Sequence, residues 1–207
     1  MASLRAMRMM DLWKLAPCNL DPLTETYGID FYTDYLIQWP MLCRVLEGPS
    51  GKIEAYKSST YTYMTSTHEV PKVLGKLEDS PFPCPNPPYD PETNTDDRYL
   101  PWHAHITAVT VAPYARRNGH ATRLVRALEM QANAQNAWFV DLFVRVDNEL
   151  AIRMYQKLGY SIYRRIPGYY NDNDDAFDMR KPMKRDKQRK TIRENGENHL
   201  VDVSDVW

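Results

Sequence analysis

A chain of 207 residues with 43% hydrophobic and 12% aromatic content is long enough for one domain with a full core and too apolar to be disordered. Its longest apolar stretch, 137–144, is interrupted by Asp141, and Arg5 and Arg8 break up the first ten residues, which excludes a membrane span or a leader there and predicts a soluble, cytoplasmic protein. The net charge of −1 hides an uneven spread: eight basic residues and one acidic one fall between Arg180 and Arg193, so this stretch carries about +7 and the rest about −8.

Three cysteines, Cys18, Cys43 and Cys84, without C-x-x-C spacing argue against a disulfide framework or a zinc site. Fourteen tyrosines against five phenylalanines suit either a surface that grips peptides or a polar-tipped core edge. The basic run is either a solvated tail or a contact for an anionic partner such as ribosomal RNA.

In chain order, residues 3–6 predict a first strand, and Met9, Met10, Leu12, Trp13 and Leu15 a short amphipathic helix. Pro17 to Pro22 breaks the pattern, and a turn over 21–28 leads to a helix from Ile29 to Trp39 that stops at Pro40. The apolar residues Phe31, Tyr32, Tyr35, Leu36 and Trp39 wrap widely around it, so either it is buried on most sides or its outer face meets a partner chain. A strand over 42–47, a G-P-S-G turn and a return strand from Lys52 follow. Residues 58–72 interrupt that return strand, because their removal would leave a continuous I-E-A-Y-K-V-L-G-K-L-E. The segment is either a long inserted loop or a translated stretch, such as an unspliced intron, that the functional protein lacks. Residues 80–101 carry seven prolines and predict an extended, mobile loop.

Residues 106–111, I-T-A-V-T-V, read as one buried strand ending before Pro113, and a helix runs from Gly119 to about Ala134. The turn between them holds Arg116, Arg117, Asn118 and Gly119. A helix start offers unpaired N–H groups and partial positive charge to an anion. One dipole contributes only about 0.3–1 kcal/mol, whereas micromolar binding requires roughly 8 kcal/mol, so several donors and the arginines must act together. No G-K-[ST] follows, and Gly119 stands alone, which excludes a P-loop and a dinucleotide fingerprint. Residues 138–146 predict a second buried strand, parallel to the first if the intervening helix is a right-handed crossover. Asn148 opens a helix that Gly159 closes; strands are expected over 160–166 and 177–183, then a polar, mobile tail.

Arg116-x-x-Gly119-x-Ala121 after a strand resembles the acetyl-CoA signature of the GNAT acetyltransferase superfamily, and Asn148-x-x-Ala151-x-x-x-Tyr155-x-x-x-Gly159-Tyr160 its second motif. The segments D-P-L-T-E-T-Y-G at 21–28, F-Y-x-x-Y-L at 31–36, W-x-x-H at 102–105, V-D-L-F-V-R-V at 140–146, M-Y-Q-K-L-G-Y-S-I-Y-R at 154–164 and D-M-R-K at 178–181 are similar to catalytic subunits of the N-terminal acetyltransferase B (NatB) type. The departures are the 58–72 insertion, the proline loop and Ala104 between two histidines.

The resemblance implies an α/β GNAT fold, a mixed central sheet with splayed parallel strands flanked by helices. It implies one catalytic domain over 1–181, with the insertion and the proline loop inside it, and a basic, polar tail over 182–207. Acetyl-CoA would lie along Val109 and Val111 with its pyrophosphate at Arg116, Arg117, Asn118, Gly119, His120, Ala121 and Thr122. The amine acceptor would be the N-terminus of a nascent protein beginning Met-Asp, Met-Glu, Met-Asn or Met-Gln. A large helical-repeat auxiliary subunit would dock on the N-terminal helices, with the ribosome reached through the complex.

His103 and His105 alternate on one strand and share a face. A metal would need further ligands that the sequence does not supply, so none is expected. By the resemblance, His105 contacts the substrate's second residue or helps deprotonate its amine, and Tyr155 protonates the leaving thiolate. Asn148 bonds the cofactor or the amine, while Glu25, Tyr27, Tyr169 and Tyr170 clamp the peptide. A free α-amine titrates near pH 8, so only modest help from a base is required. Each residue also has a structural reading: a core histidine, a packing tyrosine, a helix cap, exposed turn residues. Two other readings share the cofactor motif: an acetyltransferase for lysine side chains or small amines, and a non-catalytic CoA-binding subunit.

Overall fold

The computed structural model describes residues 2–19, 28–38, 40, 43–57, 60–61, 75–78, 80, 84, 89–90, 99–170 and 173–206. Its elements are β1 (Ser3–Ala6), α1 (Ala16–Asn19), α2 (Ile29–Gln38), β2 (Arg44–Glu47), β3 (Ile53–Lys57), β4 (Thr60–Tyr61), β5 (Gly75–Glu78), β6 (His103–Ile106), β7 (Val109–Val111), α3 (His120–Ala134), β8 (Phe139–Arg145), α4 (Glu149–Lys157), β9 (Ser161–Ile166) and β10 (Ala176–Pro182). They form two compact units, Met1–Leu77 with Ile106–Met130, and Glu78–His105 with Gln131–Trp207. Most of the 58–72 insertion and of the proline loop lies outside the described residues, as do Glu25 and Tyr27.

In the first unit β1, β2, β3 and β7 form an antiparallel sheet in that order. Alternation sends Val45 to one face and Leu46 to the other. One face carries Met7, Leu15, Cys18, Tyr32, Tyr35, Leu36, Val45, Ile53 and Tyr56, and the other Leu46, Ala55 and Leu124 of α3. Ile53 and Tyr56 reach the same face although three residues apart. The register explains this: Leu46 pairs with Ala55 and Glu47 with Ile53, so Glu54 is the extra residue of a β-bulge.

The helix expected over Met9 to Leu15 is a 3-10 helix, Met9–Lys14. Its Asp11 is buried and takes two bonds from Arg5 at 2.6 and 2.9 Å, which ties the helix to β1. The helical pattern does break after Leu15: Pro17 falls in the first turn of a separate short helix, α1, where a missing N–H costs nothing, and the turn expected over 21–28 lies, but for Gly28, outside the described residues. On α2 the buried residues are Tyr32, Tyr35 and Leu36, while Ile37 is 67% exposed. Trp13 and Met10, at 72% and 69%, are also open.

The second unit holds neighbouring strands β6, β8, β10 and β9, with β8–β10 and β10–β9 antiparallel. Helix α4 is bounded by the residues that its sequence marks. Asn148 Oδ1 accepts the Ala151 N–H, and Gly159 at φ 93° closes a Schellman motif, with Gly159 N on Gln156 O and Tyr160 N on Tyr155 O.

Two expectations fail for physical reasons. The strand expected over 106–111 is broken at Thr107–Ala108 into β6 and β7, because the two pieces pair in different sheets, and Ala108 at the break lacks the β-branched side chain of its neighbours. The polar tail is not loose: Arg165 N bonds His199 O and Val201 N bonds Arg165 O, so the tail lines the edge of β9. Gly196 packs so closely that a Cβ would lie 2.1 Å from the Ile162 carbonyl oxygen, and Val206 joins Ile166 and Ala176 in a core cluster. Within the basic run Asp186 is buried and accepts from Lys190 N, Thr191 N and the Thr191 hydroxyl, folding the run into a fixed loop.

Candidate active site

In the first unit the chain leaves β7 through a 3-10 turn, Pro113–Ala115, and re-enters regular structure at His120. Between these, Arg117 has φ 63° and Gly119 φ 74°. A left-handed arginine costs roughly 1–2 kcal/mol and persists where its surroundings enforce it. Such turns present successive N–H groups as an anion nest. The first intrahelical bond runs from Arg123 N to Gly119 O, so the N–H groups of Gly119, His120, Ala121 and Thr122 form the open end of α3. Arg116, Arg117, Asn118 and Gly119 are exposed, and the first turn of α3 carries no acidic residue. This donor set fits a pyrophosphate. Val109 and Val111, half-buried on β7, pair with Lys57 and Ala55 of β3.

In the second unit the face of β8 formed by Phe139, Asp141, Phe143 and Arg145 organises the rest, as a two-residue period dictates. His105 Nδ1 donates to Asp141 Oδ1 at 2.9 Å, and both residues are buried. A carboxylate only accepts, so neutral His105 carries its proton on Nδ1 and the lone pair on Nε2. His103 lies flat on Phe139, with ring centroids 4.7 Å apart, donates from Nδ1 to Pro101 O at 2.9 Å, and keeps Nε2 3.9 Å from Asp141. Arg180 faces Asp141 across the β8–β10 ladder and is held by Asp178, which Arg164 also binds at 2.8 Å. Burial would lift the Asp141 carboxyl, but His105, His103 and Arg180 together hold it well below the ordinary carboxylate range.

Phe143 continues the ladder, 5.1 Å from His105 and 4.9 Å from Tyr169, which meets Tyr170 edge-on. Arg145 lies over the Tyr170 ring at 4.0 Å and binds Asp174 at 2.7 Å. His105, Tyr169 and Tyr170 therefore form one connected cluster. Sequence reasoning misses the linking residues Asp141, Phe143 and Arg145; their alternation within V-D-L-F-V-R-V is the available signal.

Tyr155 is buried on α4 against Tyr160, and burial pushes its phenol above the ordinary tyrosine value, which keeps it protonated. Asn148 spends Oδ1 on the helix cap. Cys18 and Cys43 are buried, and burial pushes the Cys18 thiol up to about 11, so neither is poised as a nucleophile. Among the described residues no cluster of His, Cys, Asp or Glu could hold a metal. Glu25 and Tyr27 lie outside the described residues.

Each unit by itself thus carries part of what the sequence marks: the first a nest at a helix start after a strand, the second a buried tyrosine and a carboxylate-bound histidine. The acetyltransferase (GNAT) family model matches residues 87–160. The fission yeast Schizosaccharomyces pombe protein "N-terminal acetyltransferase B complex catalytic subunit naa20" is 41% identical over 100% of this chain and 99% of its own. The crystal structure of Chaetomium thermophilum Naa20 in complex with a bisubstrate analogue aligns with a TM-score of 0.83 at 47% identity over 99% of both chains. A NatB acetyltransferase complex bound to a bisubstrate inhibitor gives 0.71 at 35%, again over 99% of both. The chain belongs to the GNAT acetyltransferases and, within them, to the family of NatB catalytic subunits, which are N-terminal acetyltransferases.

Proposed function

We propose that this chain transfers the acetyl group of acetyl-CoA to the α-amino group of nascent proteins beginning Met-Asp, Met-Glu, Met-Asn or Met-Gln. Acetyl-CoA supplies an activated thioester. The chain's own groups do the rest: Val109 and Val111 hold the pantetheine arm by their backbones, and Arg116–Thr122 hold the pyrophosphate. His105, its lone pair on Nε2, accepts the proton of the attacking amine directly or through water, and Asp141 holds that tautomer. Tyr155 donates its proton to the departing sulfur. Transfer is direct, with acetyl-CoA bound first and no acyl-enzyme, in keeping with the burial of Cys18 and Cys43. Glu25, Tyr27, Tyr169 and Tyr170 clamp the peptide, and the remaining amide of Asn148 serves the cofactor or the amine.

The observation that carries this reading is the His105–Asp141 pair joined through Phe143 to the Tyr169–Tyr170 loop. The exposed apolar groups Met10, Trp13 and Ile37 support a docking face for a large helical-repeat auxiliary subunit, through which the complex reaches the ribosome in the cytoplasm. No described helix is long and apolar enough to cross a membrane.

The test offers the chain, alone and with a NatB auxiliary subunit, acetyl-CoA and peptides beginning Met-Asp, Met-Leu or Ser. Mass spectrometry should find the Met-Asp peptide acetylated selectively. Preference for Ser or Met-Leu would discard the specificity, and bound CoA without transfer to any peptide would favour a non-catalytic subunit.

A further inference from the structure

The loop that holds the anion nest begins and ends on a single residue, Glu54 of β3. Its backbone carbonyl accepts the Ala112 N–H at 2.9 Å, where the chain leaves β7. Its carboxylate accepts from His120 Nε2 at 3.0 Å, where the chain enters α3. The seven-residue excursion between, 113–119, which includes the left-handed Arg117 and Gly119, is thus closed by one clip.

The bulge makes this possible. Glu54 is the residue that β2 skips, and a bulge re-aims the side chain at its position. The carboxylate folds back over Gly48 in the β2–β3 turn so closely that a Cβ there would lie 2.1 Å from Glu54 Oε1. His120 is buried, with its Nδ1 enclosed and no hydrogen-bond partner among the described residues, so Glu54 is what fixes its ring. The His120 backbone N–H belongs to the open end of α3, and the ring's anchorage sets where that end lies relative to β7.

We propose that Glu54 is a positioning residue that sets the nest for the pyrophosphate of acetyl-CoA, acting through His120. The inference rests on the cofactor part of the proposed function and is separate from the peptide part.

Four variants of the full-length chain test it: Glu54→Ala, His120→Ala, their double, and Gly48→Ala, which displaces the carboxylate without removing either partner. CoA affinity is read by calorimetry, and acetyl-CoA KM, peptide KM and kcat by steady-state rates. Each single variant should weaken CoA binding and raise the acetyl-CoA KM about tenfold, the size of one charge-assisted hydrogen bond. The double variant should be no worse than either single one, with kcat and peptide KM within about twofold of wild type. Unchanged CoA affinity in Glu54→Ala and Gly48→Ala would overturn the proposal. So would effects of Glu54→Ala and His120→Ala that multiply, or a loss confined to kcat. A wild-type chain that binds CoA yet acetylates no peptide would contradict the substrate reading while leaving the CoA comparison intact.

Discussion

His105 Nδ1 lies 2.9 Å from Asp141 Oδ1, with both side chains sealed from solvent. Asp141→Asn keeps the shape and removes the charge that selects the tautomer. kcat should fall about 10- to 100-fold with little change in acetyl-CoA KM, measured by steady-state transfer to a Met-Asp peptide.

The same carboxylate sets a pH dependence. Its folded-state pKa is depressed, so its contribution to stability is present above its ordinary value near 4 and is lost as the pH falls from there through the lower folded value. Wild type should exceed Asp141→Asn in thermal midpoint at pH 7, and the gap should narrow below about pH 4. A gap that widened on acidification would contradict the assignment.

Tyr155 supplies a proton only if it keeps one. Because burial raises its phenol, no limb of the rate profile below about pH 10 should belong to it. Tyr155→Phe leaves the ring against Tyr160, so stability should change by about 1 kcal/mol or less while kcat falls roughly 100-fold.

Trp13 and Ile37 are exposed apolar groups on neighbouring helical segments. Trp13→Glu with Ile37→Glu should leave the thermal midpoint of the isolated chain nearly unchanged and abolish co-purification with a NatB auxiliary subunit. Retained association would move the docking face elsewhere.

Gly196 has no room for a side chain against the Ile162 carbonyl. Gly196→Ala should cost about 1–3 kcal/mol in urea unfolding and open the tail to limited proteolysis. An unaffected variant would mean that the tail contributes little to the second unit.

What was readable in the sequence is what local chemistry enforces. Asn148 and Gly159 bound α4 because a cap and a left-handed closure each demand few residue types, and β1 falls on residues 3–6 as expected. Arg116 to Gly119 are legible as a helix-start turn for the same reason. The interruption at Thr107–Ala108 was not, because β-branched residues favour extended chain on both sides of it. Nor was the bulge at Glu54, which is a property of the register between two strands. Asp141 reads only as a charge in an apolar run; its partner stands 36 residues earlier, and pairing at that range leaves no local trace. The tail reads as loose because its anchors, Thr191, Gly196 and Val206, are thinly spaced among polar residues.

The central claim is that the acceptor is an α-amine. The most direct measurement gives the chain, with its auxiliary subunit, acetyl-CoA and one peptide that begins Met-Asp and carries an internal lysine, then locates the acetyl group by tandem mass spectrometry. Acetyl on the N-terminal methionine alone, lost when that amine is blocked, is the predicted result. Acetyl on the lysine, surviving the block, would contradict it.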